Sequence, residues 1–136
     1  MTTHQMRTQK DVSPGTDLAI RRILARYCQL VDDRDFDAAA ALFTEDAKLR
    51  LADQTLNGRE AIRTWLDSVP PGLSHQVTNV VVSYGSREGT LHALSDLVVA
   101  QRDGSGWSTV MLGRYHDTLL ETGSSLTFSQ RIVTAR

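Results

Sequence analysis

One imidazole and one carboxylate stand where they could do acid–base chemistry together. His75 opens a valine-rich segment with the pattern of a strand, and an imidazole gains and loses its proton near neutral pH. Asp32 stands where the apolar stripe of the first predicted helix ends. A carboxylate beside an imidazole orients the ring, fixes its tautomer and raises its basicity. Spacing alone does not favour this pair over a packed histidine and an ordinary helix-end aspartate.

The first predicted helix carries a third polar group on its buried side. Its apolar residues recur at helical spacing and form one stripe, made of Ile20, Ile23, Leu24, Tyr27, Leu30 and Val31. A buried tyrosine usually finds a hydrogen-bond partner for its hydroxyl. Tyr27 is therefore either a packed aromatic with a hydrogen-bonded tip or a donor inside an apolar pocket.

The later strands supply further candidates. Alternation along the strand of His75 places Val77, Asn79 and Val81 on the same face. Arg131, in the last predicted strand, is either half of a surface ion pair or an anion clamp at the pocket. The residue pattern leaves both readings open.

Composition narrows the class of protein and its partners. The chain has 136 residues, of which 40% are hydrophobic and 23% charged, as expected for one globular domain. A net charge of −1 gives no reason to expect binding to nucleic acid or to an anionic membrane. The single cysteine, Cys28, cannot form an internal disulfide, and no apolar run is long enough to span a membrane. We therefore expect a cytoplasmic protein.

Motifs for metals and nucleotide cofactors are missing from the sequence. The four histidines and one cysteine lack the spacings of a zinc site. No phosphate-binding loop, dinucleotide fingerprint or nucleophile elbow occurs either. The sequence therefore predicts neither a metal nor a cofactor.

Helical patterns come first along the chain, and strand patterns follow. Residues 1–15 are polar and aperiodic, which is typical of a flexible tail, so the domain is expected to span residues 16–136. Thr16 or Asp17 would cap the first helix. Further helices are predicted at 36–43 and 59–69, and strands at 47–52, 74–84, 90–101, 107–120 and 125–134. This order predicts an α+β fold in which helices cover one face of a bent, antiparallel sheet and close a pocket.

Several motifs, taken in order, resemble the SnoaL-like branch of the NTF2-like superfamily. They are residues 42–47 (LFTEDA), residues 57–62 (NGREAI), His75 with Asn79 four positions later, residues 113–117 (GRYHD) and Arg131. The resemblance implies a cone of three helices against a strongly curved, mostly antiparallel sheet, commonly assembled as a homodimer or homotrimer. It indicates the fold strongly and the function weakly, because this superfamily hosts many chemistries and non-catalytic binding domains.

The dehydratase-like members of the superfamily suggest roles for four residues. In proteins similar to scytalone dehydratase and bile-acid dehydratase, a histidine opening the long strand pairs with an aspartate just after the first helix. Those positions match His75 and Asp32. A tyrosine of the first helix and an arginine of the last strand occur in some members, and they match Tyr27 and Arg131.

Other positions would complete the pocket that the resemblance implies. The strand at 90–101 often adds a polar group, and a single bulge would decide whether Ser95 or Asp96 faces inward. Asn79 or Tyr115 would assist Tyr27 in donating to an oxygen of the substrate. The apolar walls would come from Phe43, Trp65, Val77, Val81 and Leu97.

The resemblance implies a cofactor-independent lyase or isomerase of the dehydratase type. His75 would remove a proton from a small, hydrophobic, oxygenated ring compound such as a polyketide, steroid-like or aromatic metabolite, and Asp32 would stabilise the imidazolium. Two alternatives remain open. The chain also resembles the β subunit of aromatic-ring-hydroxylating oxygenases, which would make it a binding or assembly module without turnover. It could instead be a polyketide cyclase or an epoxide hydrolase on the same cone.

Overall fold

Helices precede the long strands in the order predicted from the sequence. A computed structural model describes residues 11–136, and in these residues the chain forms three helices and six strands. In chain order they are α1 (Pro14–Asp32), α2 (Phe36–Ala40), β1 (Phe43–Arg50), β2 (Thr55–Asn57), α3 (Arg59–Leu66), β3 (Leu73–Tyr84), β4 (Thr90–Asp103), β5 (Gly106–Thr122) and β6 (Ser125–Ala135).

The strands form one mixed sheet in the order β2-β1-β6-β5-β4-β3. All neighbours are antiparallel except β1 and β6, which are parallel. Register shifts interrupt the pairing of β3 with β4, of β4 with β5 and of β5 with β6. Such irregularities bend and twist a sheet. The predicted α+β fold, with helices packed on a curved and mostly antiparallel sheet, is confirmed.

Helix α1 begins before the residues predicted to cap it. The hydroxyl of Ser13 accepts a hydrogen bond from the backbone N–H of Thr16 at 3.2 Å, so Ser13 is the cap. Pro14 takes the first helical position, where its missing N–H would have no partner in any case. Thr16 and Asp17 therefore lie in the first turn. Most of the predicted flexible tail, residues 1–10, lies outside the described residues.

Helices α2 and α3 are shorter than predicted. Helix α2 stops at Ala40 because Phe43 already pairs with β6, which requires an extended backbone. Helix α3 stops at Leu66, and tight turns carry the chain to Val69 before Pro70. No helix within residues 11–136 is long and apolar enough to cross a membrane.

The main core lies between α1 and the inner face of the sheet. Ile20 and Leu24 of α1 are at most 1% exposed, and Phe43 and Phe128 of the sheet are 0% exposed. The ring of Tyr27 packs edge-on against both phenylalanines, with centroid distances of 5.8 and 6.2 Å. This packing fixes the C-terminal half of α1, and with it the helix end that carries Asp32.

Candidate active site

His75 and Asp32 are in direct contact where α1 meets β3. Nδ1 of His75 lies 2.7 Å from Oδ1 of Asp32, and the backbone N–H of His75 donates to Oδ2 at 2.9 Å. The two side chains are 13% and 20% exposed, so water competes little for this contact. The contact that the family resemblance implies between His75 and Asp32 is therefore present. The catalytic role of the pair stays a prediction.

The position of β3 in the sheet explains why α1 supplies this carboxylate. Strand β3 is at the edge of the sheet, so one side of its backbone has no neighbouring strand within residues 11–136. Helix α1 covers that side with two side chains. Asp32 accepts from the N–H of His75, and Arg21 donates to the carbonyl oxygen of Val80 at 3.1 Å. The last residue of α1 is thereby held against the start of β3.

The contact also determines which ring nitrogen of His75 carries the proton. An ionised carboxylate can only accept hydrogen bonds, so Nδ1 must be the donor to Asp32. In the neutral ring Nε2 then keeps its lone pair, and Nε2 has no hydrogen-bond partner among the residues that the structure describes. A neutral imidazole in this state can act as a base, and Asp32 would stabilise its conjugate acid.

A cavity of about 360 Å³ lies beside His75. Its polar lining consists of His75, Tyr27, Tyr115, Ser68 and Gln101. The rest is aliphatic or aromatic, comprising Val31, Leu49, Leu51, Trp65, Val69, Pro70, Leu73, Leu97, Val99, Val110, Met111 and Val133. No Asp, Glu, Lys or Arg of the described residues lines the cavity. Such a lining suits an uncharged, mostly apolar ligand.

Tyr27 and Tyr115 line the cavity from the helical layer and from the sheet. They are only 5% and 3% exposed. Burial raises the pKa of Tyr27 to about 12, although the charge of Arg131 opposes the rise. Burial also raises the pKa of Tyr115 well above its ordinary value. Both phenols therefore keep their protons at neutral pH and can donate hydrogen bonds.

Arg131 occupies neither of the positions expected for it from the sequence. Its side chain is 0% exposed and does not line the cavity. It forms a bidentate ion pair with Asp117, with Nε–Oδ1 and Nη2–Oδ2 distances of 2.8 and 3.1 Å. Burial raises the pKa of Asp117, and the charge of Arg131 opposes that rise. Arg131 is thus neither a surface residue nor a clamp that touches a ligand.

A bulge in β3 removes Asn79 and Val81 from the face of His75. Asn79 has a φ of 53°, and the pairing with β4 shifts between positions 78 and 81. The alternation changes phase at this point, so Val80 packs against the core and Val81 is 61% exposed. Neither Asn79 nor Val81 lines the cavity, which corrects both predictions.

Ser95 and Asp96 point to opposite faces of the sheet. Asp96 lies on the outer face, where it accepts from Asn79 and Arg114, each at 2.8 Å. Ser95 faces inward, is 1% exposed and has no hydrogen-bond partner among the described residues. Neither residue lines the cavity. The strand therefore adds no polar side chain at the predicted positions.

The predicted apolar walls divide into two groups. Trp65 and Leu97 line the cavity, whereas Phe43 and Val77 do not. Phe43 is 0% exposed because it packs in the core between α1 and the sheet. Val77 lines a second cleft of about 450 Å³ between α1 and β3, which His75 also borders.

Much of the cavity lining was not predicted from the sequence. One missed group comprises Val69 and Pro70, in the connection from α3 to β3, and Leu73, the first residue of β3. Pro70 gave no sequence signal, whereas the helical pattern predicted for 59–69 and the alternation of Leu73 with His75 could have indicated the other two residues. Val99 and Gln101 of β4 were also missed, although continuing the alternation from Leu97 would have found them.

Side chains that bind metals are not grouped in the part of the chain described. Within residues 11–136, no three His, Cys, Asp or Glu side chains are arranged to hold a metal ion. The His75–Asp32 contact supplies one nitrogen and one carboxylate, which is fewer protein ligands than a zinc site has. The expectation of no metal or cofactor stays a prediction.

The chain belongs to the SnoaL-like domain family, whose model matches residues 16–131. The family assignment predicted from the sequence motifs is thereby confirmed. No curated protein was found to match the chain.

Solved structures share the NTF2-like cone over most of the chain. Aln2 from a Streptomyces species is 23% identical, with a TM-score of 0.84 over 93% of this chain and 94% of that one. A scytalone dehydratase-like protein from Novosphingobium aromaticivorans is 22% identical, with a TM-score of 0.78 over 89% and 84%. A protein from the same organism, similar to the β subunit of ring-hydroxylating dioxygenases, is 18% identical, with a TM-score of 0.80 over 92% of each chain. At these identities the similarity shows the fold alone.

Proposed function

We propose that the protein is a cofactor-independent acid–base enzyme of the dehydratase or isomerase type. Its substrate would be a small, uncharged ring compound that carries an oxygen substituent. The observation that supports this most directly is the 2.7 Å contact between His75 and Asp32 at the wall of an apolar cavity. An imidazole held in this way, with little water around it, is well placed for general base catalysis.

His75 is the proposed base. Its Nε2 takes a proton from a carbon next to a carbonyl or a similar activating group. Asp32 accepts from Nδ1 and therefore stabilises the imidazolium that forms. From the imidazolium the proton can pass to another carbon, which completes an isomerisation, or to a leaving hydroxyl, which completes a dehydration.

Tyr27 and Tyr115 are the proposed donors to the oxygen that gains negative charge. Their raised pKa values keep both phenols protonated. Donors that are already in place stabilise a developing oxyanion without further reorganisation. Trp65, Leu97 and the other apolar lining residues exclude water, which strengthens these interactions.

In this proposal, the second cleft beside His75 is the route by which the ring exchanges protons with solvent. It lies between α1 and β3, and its lining includes Cys28, Gln29 and Gln76. His75 therefore borders the apolar cavity on one side and this more polar cleft on the other. A proton taken from the substrate could exchange with water without water entering the cavity.

Solvent-deuterium exchange tests this proposal without a known natural substrate. A panel of uncharged one- and two-ring ketones is incubated with the protein in D₂O, and loss of the C–H signal beside the carbonyl is followed by NMR. We expect acceleration with at least one ketone, and a loss of about 10²–10⁴-fold in His75→Ala because general acid–base help is worth that much. The matched control His92→Ala alters an exposed histidine of β4 and should leave the rate unchanged.

Two results would contradict the proposal. One is an exchange rate that stays at the buffer value for every ketone. The other is an accelerated rate that survives His75→Ala in a variant whose circular dichroism spectrum is unchanged.

A non-catalytic binding or assembly subunit is the second candidate function. The fold similarity to a dioxygenase β subunit favours it, and so does the outer face of the sheet, where Val81, Leu94 and Leu112 are exposed. The same face could instead be buried in the predicted homodimer or homotrimer. The expected cytoplasmic location also stays a prediction. Copurification with a larger oxygenase subunit, together with no exchange activity, would favour this function.

The cyclase and hydrolase alternatives make different demands on the cavity. Opening an epoxide with water would use Asp32 and another carboxylate around that water, and no Asp or Glu of the described residues lines the cavity. The lining therefore disfavours a hydrolase. Cyclisation of a polyketide needs the same base and donors as isomerisation, so analysis of the product would separate these two reactions.

A further inference from the structure

Arg131 lies one layer behind the cavity. Its side chain is 0% exposed, whereas Tyr27 and Tyr115, at 5% and 3%, contribute to the lining. A ligand in the cavity can touch the two phenols but cannot touch the guanidinium. Any influence of Arg131 on a ligand must therefore act through these rings.

Aromatic rings surround the guanidinium of Arg131. Its central carbon lies 3.4 Å from the ring centroid of Tyr115 and 4.6 Å from the centroids of Tyr27 and Phe128. Asp117 accepts from Nε and Nη2, while Nη1 has no hydrogen-bond partner among residues 11–136. The aromatic rings therefore add to the compensation that Asp117 gives for burying this charge. A desolvated cation against ring faces is the strong form of the cation–π interaction.

Stability alone is a weak reason for burying this ion pair. Replacing a buried pair by apolar residues of similar volume is often neutral or stabilising, because desolvation offsets the attraction. We propose that Arg131, held by Asp117, is a positioning residue that fixes the rings of Tyr27 and Tyr115 and polarises their hydroxyls as donors to a ligand oxygen. A cation against the ring draws electron density from the phenol and so strengthens its O–H as a donor.

This inference rests on the proposed function in one respect only. It requires the cavity to take a ring compound with an acceptor oxygen, and it does not require that compound to be turned over. Ligand binding can therefore test it without any catalytic measurement.

Paired ligands measure how strongly the phenols donate. 2-Tetralone and tetralin have nearly the same shape, and only the ketone has an acceptor oxygen. By isothermal titration calorimetry, we expect the wild-type protein to bind 2-tetralone about tenfold more tightly than tetralin, as one net hydrogen bond allows. In the double variant Arg131→Met with Asp117→Leu, the preference should largely disappear while tetralin binding is retained.

Two further variants complete the experiment. Arg131→Lys keeps the charge but loses the planar stacking surface, so it should show an intermediate preference, and it provides a result if the double variant does not fold. The matched control Arg114→Met removes an arginine from the outer face of the same sheet. It should keep the wild-type preference.

The outcomes separate this inference from the proposed function. A wild-type preference that is unchanged in both the double variant and Arg131→Lys would overturn the positioning role and leave the acid–base proposal standing. Weaker binding of 2-tetralone than of tetralin by the wild-type protein would also overturn it, because a carbonyl that is desolvated without a donor loses binding free energy. The effect of His75→Ala on deuterium exchange is measured independently of both results.

Discussion

Each face of the sheet carries one arginine–aspartate ion pair, which is fully buried on the inner face and partly exposed on the outer face. On the inner face, Arg131 and Asp117 pair between β6 and β5, and both side chains are 0% exposed. On the outer face, Arg114 and Asp96 pair between β5 and β4, with side chains 37% and 17% exposed. Burial raises the pKa of Asp117. Hydrogen bonds from Arg114 and then Asn79 instead lower the pKa of Asp96 to about 2.

The difference in burial between the two ion pairs shows where this fold accommodates desolvated polar groups. The outer pair keeps part of its contact with water, and Asp96 also accepts a hydrogen bond from Asn79, so each partner could lose the other with little consequence. The inner pair has lost water, so each partner depends on the other. Ser95, Tyr27 and Tyr115 are buried on the same inner side. These buried polar groups therefore lie on the side of the sheet that carries the cavity, as expected for a functional site.

The largest loss of stability is expected when the inner ion pair is broken. Arg131→Ala leaves the Asp117 carboxylate buried without its partner, so the free energy of unfolding should fall by about 3–5 kcal/mol in urea denaturation. Arg114→Ala removes the matching outer arginine and should lower it by about 0–1 kcal/mol. Similar losses for the two variants would show that the two faces do not differ in the way described.

A smaller loss of stability is expected within strand β3, where an inward-facing valine can be compared with an outward-facing one. Val80 packs against the core and Val81 is 61% exposed, because the bulge at Asn79 shifts the alternation. Val80→Ser should lower the free energy of unfolding by about 1–2 kcal/mol, and Val81→Ser should change it by less than about 0.5 kcal/mol. Equal effects, or a larger effect at Val81, would contradict the placement of the bulge.

Local sequence patterns were enough to predict most of the fold. The stripe on α1 and the valine-rich β3 gave the right element types, because burial on one face imposes a period on each element. Element ends were less accurate. The end of α2 depends on Phe43 pairing with β6, which is a contact distant in sequence and has no local signal.

The candidate site was predicted only in part, for physical reasons. His75 and Asp32 are 43 residues apart, so the family resemblance rather than their spacing predicted their contact. The bulge was missed because Asn tolerates a positive φ without requiring one. The burial of Arg131 was missed because charged side chains are rarely buried completely unless paired, and its partner Asp117 lies on another strand.

The most direct test of the proposed base is nitrogen-15 NMR of the His75 ring, with and without 2-tetralone, using His75→Ala to assign the signals. We predict that Nδ1 carries a proton, facing Asp32, and that the Nε2 resonance changes when the ligand binds. A ring with a proton on Nε2 and none on Nδ1, or a ring whose resonances do not change when the ligand is bound, would contradict the account.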